Sequence, residues 1–297
     1  MLLARSHVAR LLTLGLGILG GCFVGGSGSG VKGGKGSGGT ASGTVMIGGT
    51  LLNQQVHVAA PELPPCRKEL ERLGVPYSQA SFLTQVQNNN EPAARLFLDC
   101  GMPVDARDAD KGMTALAFAA AGGAVEVTRL LIERGADVKG RARRDTASTP
   151  LMAAVAKRNS DIALLLLAKG ADATVTVGGD SALAIAAGNG DAAMIAALVK
   201  AGADARGPQG GLGLRRAAAA GQLDAVQALA SAGADLNAAD DAGDTPLMFA
   251  ARKEQIAVGC FLLKAGADPR RRNKAGYDAF EGTDLSAASF QRQYCRK

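Results

Sequence analysis

Five cysteines and two histidines are the side chains of this 297-residue chain best suited to nucleophilic, redox or metal chemistry. Their placement argues against all three. His7 lies near the start and His57 well before the main body of the chain. A Ser–His or Cys–His pair would have to use His57, which has no motif around it. There is no CxxC, so a metal centre lacks both its cysteine spacing and its histidines. Carboxylates such as Asp108, Asp110, Asp240 and Asp241 begin loops, where they serve as turn and capping groups. Gly28-Ser29-Gly30-Val31-Lys32-Gly33 spells GxGxxG, but no strand precedes it and no helix follows. Gly34-Lys35-Gly36-Ser37 fails as a phosphate loop for the same reason. No catalytic residue, metal ligand or cofactor is assigned, and the chain is read as a binding protein, not an enzyme.

The first residues are an address. Arg5, His7 and Arg10 make a basic start, and Leu11 to Leu19 is an apolar run. Leu19-Gly20-Gly21-Cys22 follows and resembles the lipobox of bacterial lipoproteins. That resemblance implies cleavage before Cys22 and attachment of a diacylglycerol, usually with a third acyl chain. The other two readings are a membrane-spanning helix and an ordinary secretory signal. The run is short of the ~20 apolar residues a span needs. All three readings export the protein. Phe23, in place of Asp, implies sorting to the outer membrane, with the chain facing the periplasm.

Removing Arg5 and Arg10 leaves 31 basic against 27 acidic side chains, a mild preference for acidic partners. Aromatics are scarce and Trp is absent, while Gly and Ala abound, which suits closely packed helices. Phe23 to Gly43 is a Gly/Ser linker. Thr44 to Val58 is richer in β-branched residues and fits a short hairpin. Pro61, Pro64 and Pro65 then break the chain.

From about Ser81 the chain repeats itself. Gly-Ala-Asp recurs at Gly135, Gly170, Gly202, Gly233 and Gly266, with Gly101 opening a degenerate copy, at spacings of 34, 35, 32, 31 and 33. Twenty-one residues before each glycine stands a start signal: Thr114, Thr149, Ser181 and Thr245, with worn copies at Leu212 and Ala80. The hydroxyls cap helix starts, Pro150 and Pro246 suit the first helical position, and the glycines accept the left-handed conformation that ends a helix. Between start and stop lie two short helices. The second carries apolar pairs one turn apart: Val127 and Leu131, Ile162 and Leu166, Met194 and Leu198, Ala225 and Leu229, Val258 and Leu262. Helices this short hold only by stacking.

This pattern resembles the ankyrin repeat over about Ser81 to Phe280. The resemblance implies an all-α solenoid of helix-turn-helix units with hairpin-like fingers: five clear copies and degenerate ends. The histidine usual after the first Leu is absent from every copy, so its bonds to the loop are expected to be lost. The copy at Leu212 to Ala220 lacks its Thr-Pro start and is expected to be the loosest. Asn273 to Glu281 reads as a truncated last copy serving as a cap. The domain reading is a leader at 1–21, lipidated Cys22 and linker at 22–43, a flank at 44–79, the repeats at 80–282 and a tail at 283–297.

Besides Cys22, four cysteines remain. Cys100 and Cys260 lie five repeats apart, roughly 50 Å at ~10 Å per helix layer, too far for a bond. Pairing Cys66 with Cys295 or Cys260 would require the flanks to run along the whole stack. That leaves Cys66 with Cys100 and Cys260 with Cys295, each stapling a terminal copy; the alternative is free, partly buried thiols.

In ankyrin-like stacks the fingers and first helices line a concave face, which implies a protein partner. Two fingers are basic: Lys139, Arg141, Arg143 and Arg144, then Arg270, Arg271, Arg272 and Lys274. They are either a solvated rim or a guide for an acidic partner. Phe118, Phe249, Arg216, Arg252 and Lys253 fall where first helices face the groove, the two phenylalanines being equally suited to the core. Nucleic acid is disfavoured by export and by the lack of stacking aromatics. The expected role is protein–protein interaction in the cell envelope from a lipid anchor, the alternative an immunity protein that neutralises a secreted toxin such as a phospholipase.

Overall fold

The computed structural model describes residues 41–47, 50–56, 63–110, 112–140, 148–281 and 287–295. Cys22, the leader and His57 lie outside them. The chain divides into two units, 1–62 and 63–297. In the first, β1 (Ala41–Ile47) pairs antiparallel with β2 (Thr50–Val56), Ala41 opposite Val56 and Ile47 opposite Thr50. The hairpin thus begins three residues earlier than expected and takes in the last three linker positions.

The second unit opens with α1 (Pro65–Arg72). Six helix pairs follow: α2 (Gln79–Gln87) with α3 (Glu91–Asp99), α4 (Ala115–Gly122) with α5 (Val125–Glu133), α6 (Pro150–Ala156) with α7 (Ser160–Ala168), α8 (Ala182–Asn189) with α9 (Ala192–Lys200), α10 (Pro208–Ala219) with α11 (Leu223–Ser231), and α12 (Pro246–Arg252) with α13 (Ile256–Lys264). A last helix, α14 (Ala287–Tyr294), packs on α13. The finger before α8 closes as a small hairpin, β3 (Thr176–Val177) with β4 (Asp180–Ser181). No helix among the described residues is long and apolar enough to cross a membrane.

Local chemistry sets the helix ends. Thr114, Thr149, Ser181 and Thr245 each accept a hydrogen bond from the amide three residues on, a contribution of about 1 kcal/mol per cap. The first copy starts at Ser78, whose hydroxyl accepts from Ser81 N, because Ala80 has nothing to cap with. Gly202 and Gly266 close their copies at φ near +100° (100° and 99°), where a side chain would be strained.

First helices pack on first helices and second on second along the stack. The apolar pairs of α5, α7, α9, α11 and α13 are all buried, from Val127 and Leu131 to Val258 and Leu262. First helices are dominated by alanine and glycine, second helices by larger aliphatics. Small side chains let the first helices approach closely, and in ankyrin-like stacks this is the side that lines the groove.

The copy expected to be loosest is instead built around close contact. Five residues, 203–207, separate Gly202 from α10, where twelve separate Gly233 from α12. The finger has been converted into an extra helical turn, making α10 the longest helix of the six pairs. Its glycines allow this. A Cβ at Gly210 would overlap the Ala205 carbonyl, one at Gly211 would stand 2.7 Å from Ala238 Cβ, and one at Gly213 would stand 3.0 Å from Ala187 Cβ. The loop bond expected to be lost with histidine is kept in this copy, since Arg215 Nη1 donates to Ala238 O at 2.9 Å.

Both ends are closed by added parts. Cys66 is bonded to Cys100 and Cys260 to Cys295, with Cα separations of 5.7 and 5.3 Å. At the front, Arg67 lies over the Tyr77 ring at 4.0 Å, Tyr77 stacks on Phe97 at 5.5 Å, and Tyr77 Oη donates to Cys100 O. At the back, the segment expected as a tail holds α14, whose Phe290 meets Phe280 at 5.4 Å and covers Gly259. The end of the stack exposes apolar surface, so the chain returns over it.

Replacing Cys260 and Cys295 by Ser should lower unfolding free energy by about 2–4 kcal/mol. Amide exchange in α13 and α14 should accelerate more than in α6 and α7, as read by hydrogen–deuterium exchange. Gly210→Ala should cost about 1–3 kcal/mol in urea melts through overpacking. Gly188→Ala, whose Cβ would meet only Arg216 carbon atoms at 3.7 and 3.8 Å, should be neutral or stabilise by up to ~1 kcal/mol.

Candidate partner-binding surface

Stacking brings the fourth residue after each copy's start into one row: Phe118, Ala153, Ile185, Arg216 and Phe249. Ala153 is buried and the other four are half-buried, Phe118 and Ile185 packing against the core. Phe118 is therefore both core and surface, while Phe249 is half-buried beside the Arg252 guanidinium. Ile185 was not singled out from the sequence, although aligning the copies places it in the same register. Beyond this row the groove floor is Ala121, Ala156, Gly188 and Ala219, ending at Arg252, with Lys157 and Lys253 exposed at the helix ends.

The five helices α4, α6, α8, α10 and α12, with their C-cap residues, carry five basic side chains and no acidic one: Lys157, Arg215, Arg216, Arg252 and Lys253. Glu254, one residue further, is exposed. Two of the bases are held by finger carboxylates. Arg216 Nη1 meets Asp180 Oδ1 at 2.7 Å, and Arg252 Nη2 meets Asp244 Oδ2 at 2.5 Å. The Arg252 guanidinium also sits 5.0 Å from the centre of the Phe249 ring. These arginines are partly exposed, so the pairs contribute little stability and mainly fix orientation.

Asp244 is the centre of the last finger. Its other oxygen accepts from Asn273 Nδ2 at 2.8 Å, and its amide donates to Asp240 Oδ1. Burial pushes its carboxyl upward, but the bonds from Asn273 and Arg252 and the Arg252 charge outweigh that and hold it below the usual range. Beside it opens a cleft of about 440 Å³ lined by Met248, Arg252, Asn273, Tyr277, Asp278 and Glu281.

Most other finger acids accept backbone amides. Asp105 accepts from Asp137 N of the next copy, while Asp204 accepts from Arg206 N and Asp268 from Arg270 N within their own turns. The two basic fingers do not converge, since one lies before α6 and the other after α13. Lys139 is exposed, and Arg141, Arg143 and Arg144 lie outside the described residues. Arg270, Arg271 and Arg272 are all exposed, and Arg272 Nη1 donates to Gly276 O, with Glu281 at 4.0 Å. Among the described residues no three His, Cys, Asp or Glu side chains gather as metal ligands would.

Amide side chains that the sequence reading missed lock copy to copy. Asn159 Nδ2 donates to Ala120 O at 2.7 Å and Asn189 Nδ2 to Val155 O at 2.9 Å. Gln222 and Gln255, both at second-helix N-caps, reach the turn glycines Gly190 and Gly221 of the preceding copies. The recurrence of Asn159, Gln222 and Gln255 ten residues after a start position was the available signal, and Asn189, eight residues after Ser181, falls outside it.

Because the folded Asp244 pKa lies below the unfolded value near ~3.9, its contribution is complete at neutral pH and is lost as pH falls through the folded pKa. Asp244→Asn should be less stable than the parent at pH 7, by on the order of 1 kcal/mol. The gap should shrink below about pH 4, as read from urea melts across that range.

The profile of ankyrin repeats (three copies) matches residues 82–177 and 183–273. An ankyrin repeat-containing protein of Treponema pallidum (strain Nichols) is 37% identical over 136 residues, covering 46% of this chain and 45% of that protein. The match thus spans about half the relative's length. The crystal structure of the human ASB11 ankyrin repeat domain agrees with a TM-score of 0.63 at 26% identity, over 73% of this chain and 97% of that one. Such repeats are modules of protein–protein interaction, and this chain belongs to the ankyrin-repeat family.

Proposed function

We propose that the chain is a lipid-tethered binding module of the bacterial envelope that holds a protein partner in its groove and performs no chemistry of its own. The observation that carries this reading is the row Phe118, Ile185, Arg216 and Phe249, half-buried on one face of a rigid stack. Apolar and arginine side chains set together on a rigid face are the usual anchors of a protein interface. The tether rests on Leu19-Gly20-Gly21-Cys22 and on Phe23, which favours the outer membrane. The bonds Cys66–Cys100 and Cys260–Cys295 accord with an oxidising compartment such as the periplasm. Two or three acyl chains, at about 0.8 kcal/mol per buried methylene, would keep the module on the bilayer.

Metabolic labelling with an alkyne fatty acid should mark the chain, and Cys22→Ser should abolish the mark and release the protein from membranes. A photo-crosslinking residue at Phe118, Ile185 or Phe249 should give one shared adduct, and one at Arg129 on the second-helix side should not. Adducts from Arg129 alone would move the interface off the groove. If the captured partner is a secreted hydrolase that the chain inactivates, the role is that of an immunity protein; if its activity is unchanged, the role is a scaffold.

A further inference from the structure

The groove and the back of the stack differ in charge. The five helices α4, α6, α8, α10 and α12 with their C-caps hold five bases and no acid. The second helices with their C-caps instead mix Glu126, Glu133, Asp161 and Asp224 with Arg129, Arg134, Lys169, Lys200 and Lys264. Two finger carboxylates, Asp180 and Asp244, reach the groove bases. Arg215 is engaged by the Ala238 carbonyl, which leaves Lys157 and Lys253 without a carboxylate among the described residues. Several neighbouring finger acids accept backbone amides, which fixes their orientation on the exposed fingers, away from the groove bases. Asp241 is exposed on the finger before α12.

From this distribution we infer that the groove takes an acidic segment of the partner that also carries apolar side chains, read by Arg216, Arg252 and Lys253 around Phe249. The inference rests on the groove being the binding face, as proposed above. Asp180 and Asp244 each occupy one nitrogen of a guanidinium that has five donors, so each arginine is preset and keeps N–H groups for a carboxylate. Arg216 is 40% exposed and Arg252 54%, which leaves those groups reachable. The fourth finger is shortened into the first turn of α10, the helix that carries Arg216. Phe249, with Arg252 over its ring, supplies the apolar contact between the charges. Asp278 and Glu281 in the adjoining cleft oppose a carboxylate and mark where the acidic stretch stops.

A random dodecapeptide library displayed on phage, selected against the immobilised full chain, tests this. Recovered peptides should be rich in Asp and Glu with interspersed Leu, Phe or Trp. They should weaken about tenfold in Lys253→Glu and in Arg216→Gln, and more in the double variant. They should weaken as salt rises from about 0.05 to 0.5 M and lose binding to Phe249→Ala. Circular dichroism melts of each variant separate lost binding from lost fold; Lys253, exposed and without a partner among the described residues, serves where Arg216 variants unfold. Neutral or basic peptides that still need Phe249 would overturn the acidic reading and leave the groove reading standing. Peptides indifferent to both Phe118→Ala and Phe249→Ala, or no recovered peptide at all, would overturn both.

Discussion

Burial of each helix pair against the next is the interaction on which everything else in this protein depends. Helices of seven to nine residues, as most of these are, have no stability alone in water. Leu131, Leu166, Leu198 and Leu229 are fully buried between copies, at roughly 1.5–3 kcal/mol each. That term is available only when a neighbour is present. The same dependence explains the ends. A terminal copy has a neighbour on one side only, and here each end gains an extra helix, an aromatic cluster and a disulfide.

The groove follows from the same packing. Alanine and glycine on the first helices permit close approach and leave a smooth floor. Side chains at one repeat position then form a line across several helices, so the surface is written once per copy. Where the chain departs from its own pattern, the departure falls in this region. The copy starting near Leu212 has lost a finger, gained a helical turn and placed two arginines side by side. Arg215 turns inward and replaces a missing loop bond, while Arg216 turns outward to Asp180. Adjacent residues of one type thus serve the fold and the surface separately, because successive side chains on a helix point about 100° apart.

Much was legible in the sequence because the repeat is local. A capping hydroxyl, an apolar pair one turn apart and a glycine at φ > 0 act within one copy, so periodicity located most of the helices, and the resemblance to ankyrin repeats implied the solenoid. The bonded cysteines could be narrowed to one arrangement because a linear stack forbids distant pairs. What the sequence did not reveal depends on neighbours. Gly210, Gly211 and Gly213 read as breakers until Ala205, Ala238 and Ala187 are set against them. Asn159 and Asn189 read as loop polars until the carbonyls they cap appear across the copy boundary. The tail read as a tail until Phe290 met Gly259. The groove face of Phe118, Arg216, Phe249 and Arg252 was legible from repeat register, but only the tertiary structure decided that the two arginines are oriented there by carboxylates from the fingers. Which side chains become neighbours across copies is fixed by the stacking geometry, and that geometry is written in no single repeat.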